Sequence, residues 1–133
     1  MLALATGLAA WPLDPSLPLT GAARAPSCGS SLTLGLELDG EGRIARLGMR
    51  SHACAIGQAA AALFAEAAHG RDRAAVAAAE REIAAWLAGD EPLPDWPGFA
   101  ALEPARAYPA RHGAILLAWR AALSALSSGE APG

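Results

Sequence analysis

The hydrophobic period of this chain changes once, at Cys54, and that change fixes most of what it can fold into. Before it, Leu32, Leu34, Leu36 and Leu38 alternate with Thr33, Gly35 and Glu37, which is the period of a half-buried strand. Asp39-Gly40-Glu41-Gly42 supplies a turn with two glycines available for positive φ. Ala45, Leu47 and Met49 then alternate with Arg46, Gly48 and Arg50, so the two runs predict an antiparallel hairpin. After Cys54, Ile56, Ala59, Ala60, Leu63, Phe64 and Ala67 recur at helical spacing until His69-Gly70, where glycine suits a helix stop. Asp72 can cap a second helix, whose Val76, Ala79, Ile83, Trp86 and Leu87 make one stripe before Gly89. Pro109 suits the first turn of a last helix, with Ile115, Leu116, Trp119, Leu123 and Leu126 facing inward.

Proline punctuates the rest. Trp11 to Pro26 carries Pro12, Pro15, Pro18 and Pro26 and reads as an extended arm, and Asp90 to Pro97 reads as a loop. The apolar start, Met1 to Trp11, is expected to dock as a helix, and the tail after Ser127 to fray. The chain is thus a single domain, 1–133, with an N-terminal arm or helix over 1–25 and a tail over 127–133. Strands segregated from helices make the fold α+β: a small antiparallel sheet, about three strands, followed by three helices packed on one face.

The 53 % hydrophobic fraction includes 36 alanines, so the core must come from the Leu, Ile, Val and Trp positions. Net charge is −3 and all ten basic residues are scattered arginines, which gives no stripe for nucleic acid. The start lacks a positive flank and is too short to span a bilayer, so neither a secretory signal nor a membrane anchor is expected. In the reducing cytoplasm that this implies, Cys28 and Cys54 are not expected to form a disulfide.

Those two cysteines carry the chemistry. Cys28 lies in the turn Ser27-Cys28-Gly29-Ser30 just before the first strong strand, and Cys54 lies where the second strand gives way to a helix. A thiol in a helix's first turn meets unpaired N–H groups and the positive end of the dipole, both of which favour thiolate. The hairpin between them should bring both sulfurs to one end of the sheet. Two unrelated buried thiols are the simpler alternative. No phosphate loop or nucleophile elbow is present.

Pro26-Ser27-Cys28-Gly29-Ser30, then Leu36-Glu37-Leu38-Asp39-Gly40-Glu41-Gly42-Arg43-Ile44, then Ala53-Cys54-Ala55-Ile56-Gly57-Gln58-Ala59 together resemble the NifU/IscU/SufU-type iron–sulfur cluster assembly scaffolds. That family shows a Cys-Gly-Asp turn, a hairpin closed by an Asp-Gly-type turn, and a Gly-Cys-x-Ile segment opening an Ala/Ser-rich helix. Tyr108-Pro109-Ala110-Arg111 followed by Leu117-Ala118-Trp119-Arg120-Ala121 is similar to the SufU branch around its third cysteine. The resemblance covers roughly residues 26 to 123. It implies a non-enzymatic scaffold or carrier that takes sulfur from a cysteine desulfurase, binds iron or a transient [2Fe-2S] cluster through Cys28 and Cys54, passes it to recipient apo-proteins, and could work as a homodimer. The Leu-Pro-Pro-Val-Lys stretch by which IscU-type scaffolds meet their chaperone is missing, so that partner is not implied.

Two family ligands are replaced: the aspartate by Ser30, and the third cysteine by Ala114. Neither ligates iron or zinc well. His112, two residues from Ala114, is the leading candidate for a further metal ligand. In a regular helix two residues turn roughly 200°, so His112 can serve only if Pro109 to Gly113 is not yet helical. His52 is a second candidate, and His69 reads as structural. The rival functions are a cluster-less paralogue acting as an interaction module, and a zinc-bound sulfur-transfer factor.

Overall fold

The structure, a computed structural model, describes residues 11–25, 29–89 and 92–130, with the side chains of 128–130 excepted. The helix expected over Met1 to Trp11 therefore falls almost wholly outside the described residues, as do Cys28 and the last three residues. Three strands, β1 (Leu19–Ala25), β2 (Ser30–Leu38) and β3 (Ile44–His52), form one antiparallel sheet in the order β1-β2-β3. Helices α1 (Ala55–Ala67), α2 (Arg73–Leu87) and α3 (His112–Glu130) follow, with 3₁₀ segments at Phe99–Ala107 and Pro109–Arg111 before α3. The α+β order expected from the period change is what forms. None of the described helices is long and apolar enough to cross a membrane.

The β2–β3 turn is held by Asp39. Its Oδ1 accepts from the backbone N–H groups of Glu41 (2.8 Å) and Arg43 (3.0 Å), which makes an Asx-type turn. Those two bonds, Arg43's first, hold the Asp39 carboxyl below its ordinary value. Asp72 caps α2 as read, its side chain accepting from Ala75 N at 2.9 Å. Gly70 and Gly89 follow α1 and α2 in left-handed backbone, with φ of 84° and 92°.

The proline-bearing arm is extended, and its last seven residues pair with β2 as β1, from Leu19 opposite Leu36 to Ala25 opposite Ser30. The sequence of β1 has no apolar alternation to announce it. Its small residues serve α3 instead. A Cβ on Gly21 would stand 2.2 Å from the Ala121 carbonyl oxygen and 2.4 Å from the Ala125 nitrogen. Glycine is what lets α3 lie directly on β1 and β2. Trp119 on α3 then anchors the far side: it meets Phe64 and Trp96 edge-on at 5.4 and 5.2 Å, and Phe99 at 6.1 Å. Trp96 stacks on Phe64 and donates from Nε1 to the Leu63 carbonyl at 2.8 Å. Phe99 and Leu102, both buried, explain the 3₁₀ segment that the loop reading does not anticipate: its apolar side faces α1. Among the described residues the Trp119 indole nitrogen has no hydrogen-bond partner.

The outer face of the sheet is partly covered by the arm. Gly35 and Gly48 pair across β2 and β3 and leave a flat trough. Leu17 lies where a Gly35 side chain would be, and the Pro12 carbonyl oxygen lies 2.1 Å from a Cβ on Gly48. Met49 N donates to the Trp11 carbonyl at 2.9 Å, so the arm also closes the free edge of β3.

Gly21→Ala should lower stability by about 2 kcal/mol or more, because backbone atoms on both sides of the contact must separate. Gly40→Ala, with open space around it, should change it by no more than about 0.5 kcal/mol. Denaturant unfolding of the two variants measures both. The depressed Asp39 carboxyl contributes stability that is present above the ordinary carboxylate pKa and is lost as pH falls through the depressed value. Asp39→Ala should therefore lose less stability than the native chain when thermal unfolding is followed from about pH 5 to about pH 2.

Candidate functional site

The chemistry-bearing residues gather at one end of the sheet because three chain reversals meet there. β3 ends at His52, paired with Ser31, and Ala53–Cys54 bends the chain into α1. Cys54 is the N-cap of α1, with extended backbone (φ −65°, ψ 172°). Its carbonyl accepts from Gln58 N at 2.9 Å, and the Gln58 side-chain nitrogen donates to the Ala53 carbonyl at 2.8 Å, which fixes the bend. The Cys54 thiol is free and half-buried against the edge of the core. The first turn of α1 has no acidic residue to compete with a negative charge drawn to the helix N-terminus.

Around Cys54 the second and third reversals close in. A Cβ on Gly57, one turn along α1, would lie 2.8 Å from the Ala53 Cβ and 3.2 Å from the Ala114 Cβ. The start of α3 is therefore packed on the start of α1. On its other side Gly113 meets β1: a Cβ there would be 3.0 Å from the Ala25 Cβ. Ala25 in turn accepts a 3.0 Å hydrogen bond from Gly29 N, across the connection that carries Cys28. Cys28 itself lies outside the described residues. The described ends of its connection, Ala25 and Gly29, stand at the same end of the sheet as Ser30 and the start of α3, against which α1 packs next to Cys54.

The remaining positions singled out from sequence divide between this end and elsewhere. Ser30 is buried (4 % exposed) on the helix-facing side of β2, and Ala114 is buried (1 %) against Gly57. A hydroxyl and a methyl thus occupy the two positions where a carboxylate and a thiol stand in the resembled family. His112 is the first residue of α3, directly after the 3₁₀ turn Pro109–Arg111, so the non-helical stretch from Pro109 to Gly113 on which its candidacy depends does not form, and its side chain leaves α3 roughly 200° from that of Ala114. Its Nε2 lies 2.8 Å from the Arg106 carbonyl oxygen, and it borders a groove lined by Ala84, Leu87, Leu116 and Arg120. His52 is exposed on the outer face opposite Ser31. His69 sits at the opposite end, beside the β2–β3 turn. Among the described residues no three or more His, Cys, Asp or Glu side chains are grouped closely enough to hold a metal ion. Ser51 carries a buried, unpartnered Oγ on the helix-facing side near this end, and alternation with Met49 was the signal that could have placed it.

An antiparallel three-stranded sheet covered by helices, with a thiol where the last strand turns into the first helix, defines an α+β domain whose reactive end is built by chain reversals. The sequence model of the NifU-like N terminal domain family matches residues 10–107, a span that holds Cys28 and Cys54 and ends before His112 and Ala114. The chain belongs to that family. Among solved structures, the N-terminal part of a NifU-like protein from Brucella abortus superposes with a TM-score of 0.85 at 26 % identity, covering 97 % of this chain and 90 % of that one. A protein of Fervidobacterium islandicum described as an iron–sulfur cluster assembly scaffold for the SUF system shares the fold, with a TM-score of 0.76 at 23 % identity over 87 % of this chain and 85 % of that one. No curated protein is similar enough in sequence to count as a relative.

Because Ala114 packs on Gly57, one turn along α1 from Cys54, a thiol placed there would face the helix turn that Cys54 opens. Ala114→Cys should tighten zinc binding by at least about tenfold over the native chain. Competition with a chromophoric chelator reads the difference.

Proposed function

We propose that this protein is a scaffold or carrier in iron–sulfur cluster assembly, holding iron or a transient [2Fe-2S] cluster as cargo on Cys28 and Cys54. The observation that carries the reading is a free, half-buried thiol at the strand-to-helix junction, at the sheet end where Ala25 and Gly29, which bracket Cys28 in sequence, also stand. Family membership supports the assembly role. The sulfur donor is a cysteine desulfurase in the cytoplasm, and recipient apo-proteins take the product. A thiolate of Cys28 or Cys54 attacks the outer sulfur of the donor's persulfide. One S–S bond forms as another breaks and the donor leaves as thiolate, so this transfer needs no external electrons; turning the transferred sulfur into a cluster's sulfide takes two more, supplied by an external thiol or one-electron protein reductant. The protein is a carrier of the sulfur and iron, and turns over no substrate of its own.

Two thiolates cannot complete four-coordinate iron or zinc. The cargo is therefore held weakly, or shared with a second copy in a homodimer. His112 would ligate through Nδ1 while its Nε2–H keeps donating to the Arg106 carbonyl, and that ligation is what the zinc-bound sulfur-transfer variant of the proposal requires. The methyl of Ala114 and the hydroxyl of Ser30 favour a second reading, in which the chain is a cluster-less interaction module.

Anaerobic reconstitution with iron and sulfide, followed by visible absorbance, separates these. The scaffold reading expects a charge-transfer band in the native chain that is lost in the Cys28→Ala/Cys54→Ala variant. Absence of the band in both would leave the interaction module. Zinc found in the purified native chain and lost in His112→Ala would favour the zinc-bound factor.

A further inference from the structure

The outer face of the sheet falls into three zones. At the β2–β3 turn, charge is internally paired: Glu37 and Arg46 are cross-strand partners and form an ion pair, Arg43 meets Glu41 at 3.1 Å, and Asp14 of the arm adds its field to Arg46. In the middle, Gly35 and Gly48 are covered by Leu17 and Pro12. At the cysteine end the face is open. Arg24, Ser31 and His52 form one cross-strand row, and Ala22, Thr33 and Arg50 the next. Arg24, Arg50, His52 and Thr33 are exposed. Among the described residues neither Arg24 nor Arg50 has a carboxylate within ion-pair distance.

We propose that this open, basic end of the sheet docks an acidic segment of a partner protein. Arg24 and Arg50 flank β2 diagonally from the two neighbouring strands, about 12 Å apart at the backbone, with the hydroxyls of Ser31 and Thr33 between them. That spacing suits carboxylates four residues apart on one face of an extended segment, each accepting a guanidinium fork while the hydroxyls donate to the oxygens left over. The same face shows what these strands do with an arginine that has a settled partner: Arg46 faces Glu37 in register, whereas Arg24 faces Ser31 and Arg50 faces Thr33. The chain's own first ten residues contain no acid, so they offer no such partner. A long polyanion is disfavoured because the whole chain carries −3, and its acids elsewhere would repel a strand that runs beyond the patch. A partner held there would sit against His52, two residues from Cys54. The inference concerns docking only and stands whether or not those thiols hold a cluster.

The test uses the full chain and a short fluorescein-labelled peptide alternating glutamate and serine, read by anisotropy. Binding is expected at low ionic strength, with loss as salt rises. Arg24→Glu/Arg50→Glu should weaken it by at least about tenfold, while the charge-matched Arg43→Glu/Arg81→Glu should stay within about twofold of the native chain. If the first variant does not fold by circular dichroism, Arg24→Gln/Arg50→Gln reads the same loss. No binding by the native chain, or equal loss in both double variants, overturns the proposal. So does tighter binding of a single-stranded oligonucleotide of equal charge at the same arginines, which would assign the face to nucleic acid. Self-association of the native chain that depends on Arg24 and Arg50 would assign it to a second copy.

Discussion

The close approach of α3 to β1 is the contact on which the rest of this molecule depends. Gly21 removes the side chain that would strike the backbone of Ala121 and Ala125, and Gly113 does the same against Ala25. With α3 seated on the sheet, Trp119 reaches Phe64, Trp96 and Phe99 and draws α1 and the 3₁₀ segment onto one core. The same seating brings the first turn of α3 against the end of β1 and the first turn of α1. An end of the fold where strand, helix and turn all begin or stop has few side chains of its own to fill it. There a small thiol can be reached.

What surrounds that thiol decides its chemistry. Cys54 ends an extended backbone and opens a helix, with glutamine rather than acid holding the bend. Its neighbours across the helix contact are alanine and glycine, which supply shape without donors. Among the described residues no group of three or more His, Cys, Asp or Glu side chains stands ready for a metal here.

The sheet is electrically divided along its strands. Its acidic residues cluster at the β2–β3 turn, where Asp39 is spent on backbone N–H groups and Glu37 on Arg46, while the end near Cys54 keeps arginines facing hydroxyls. The two ends therefore differ in what they can attract, although the chain as a whole is mildly acidic.

Much of this was legible in residue order. Leu32 to Met49 alternates because one face of the hairpin is buried, and Asp72, Gly70 and Gly89 mark helix ends because caps and stops are local chemistry. β1 was legible only as an extended arm, since Thr20 to Ala25 gains its strand pairing from Ser30 to Gly35 and its small residues from the needs of a helix a hundred residues later. Phe99 to Ala107, beyond the Asp90 to Pro97 loop, carries no assignment from sequence, because Pro104 hides a helical turn whose apolar side is specified by α1. The sequence by itself determined where the chain is strand, where it is helix, and that a cysteine stands at the change between them, because those are matters of period and backbone geometry. Only the tertiary structure decided that Gly57, Ala114, Gly113 and Ala25 meet beside that cysteine and that Arg24 and Arg50 lie on one open face, because such neighbours are set by packing across distant segments.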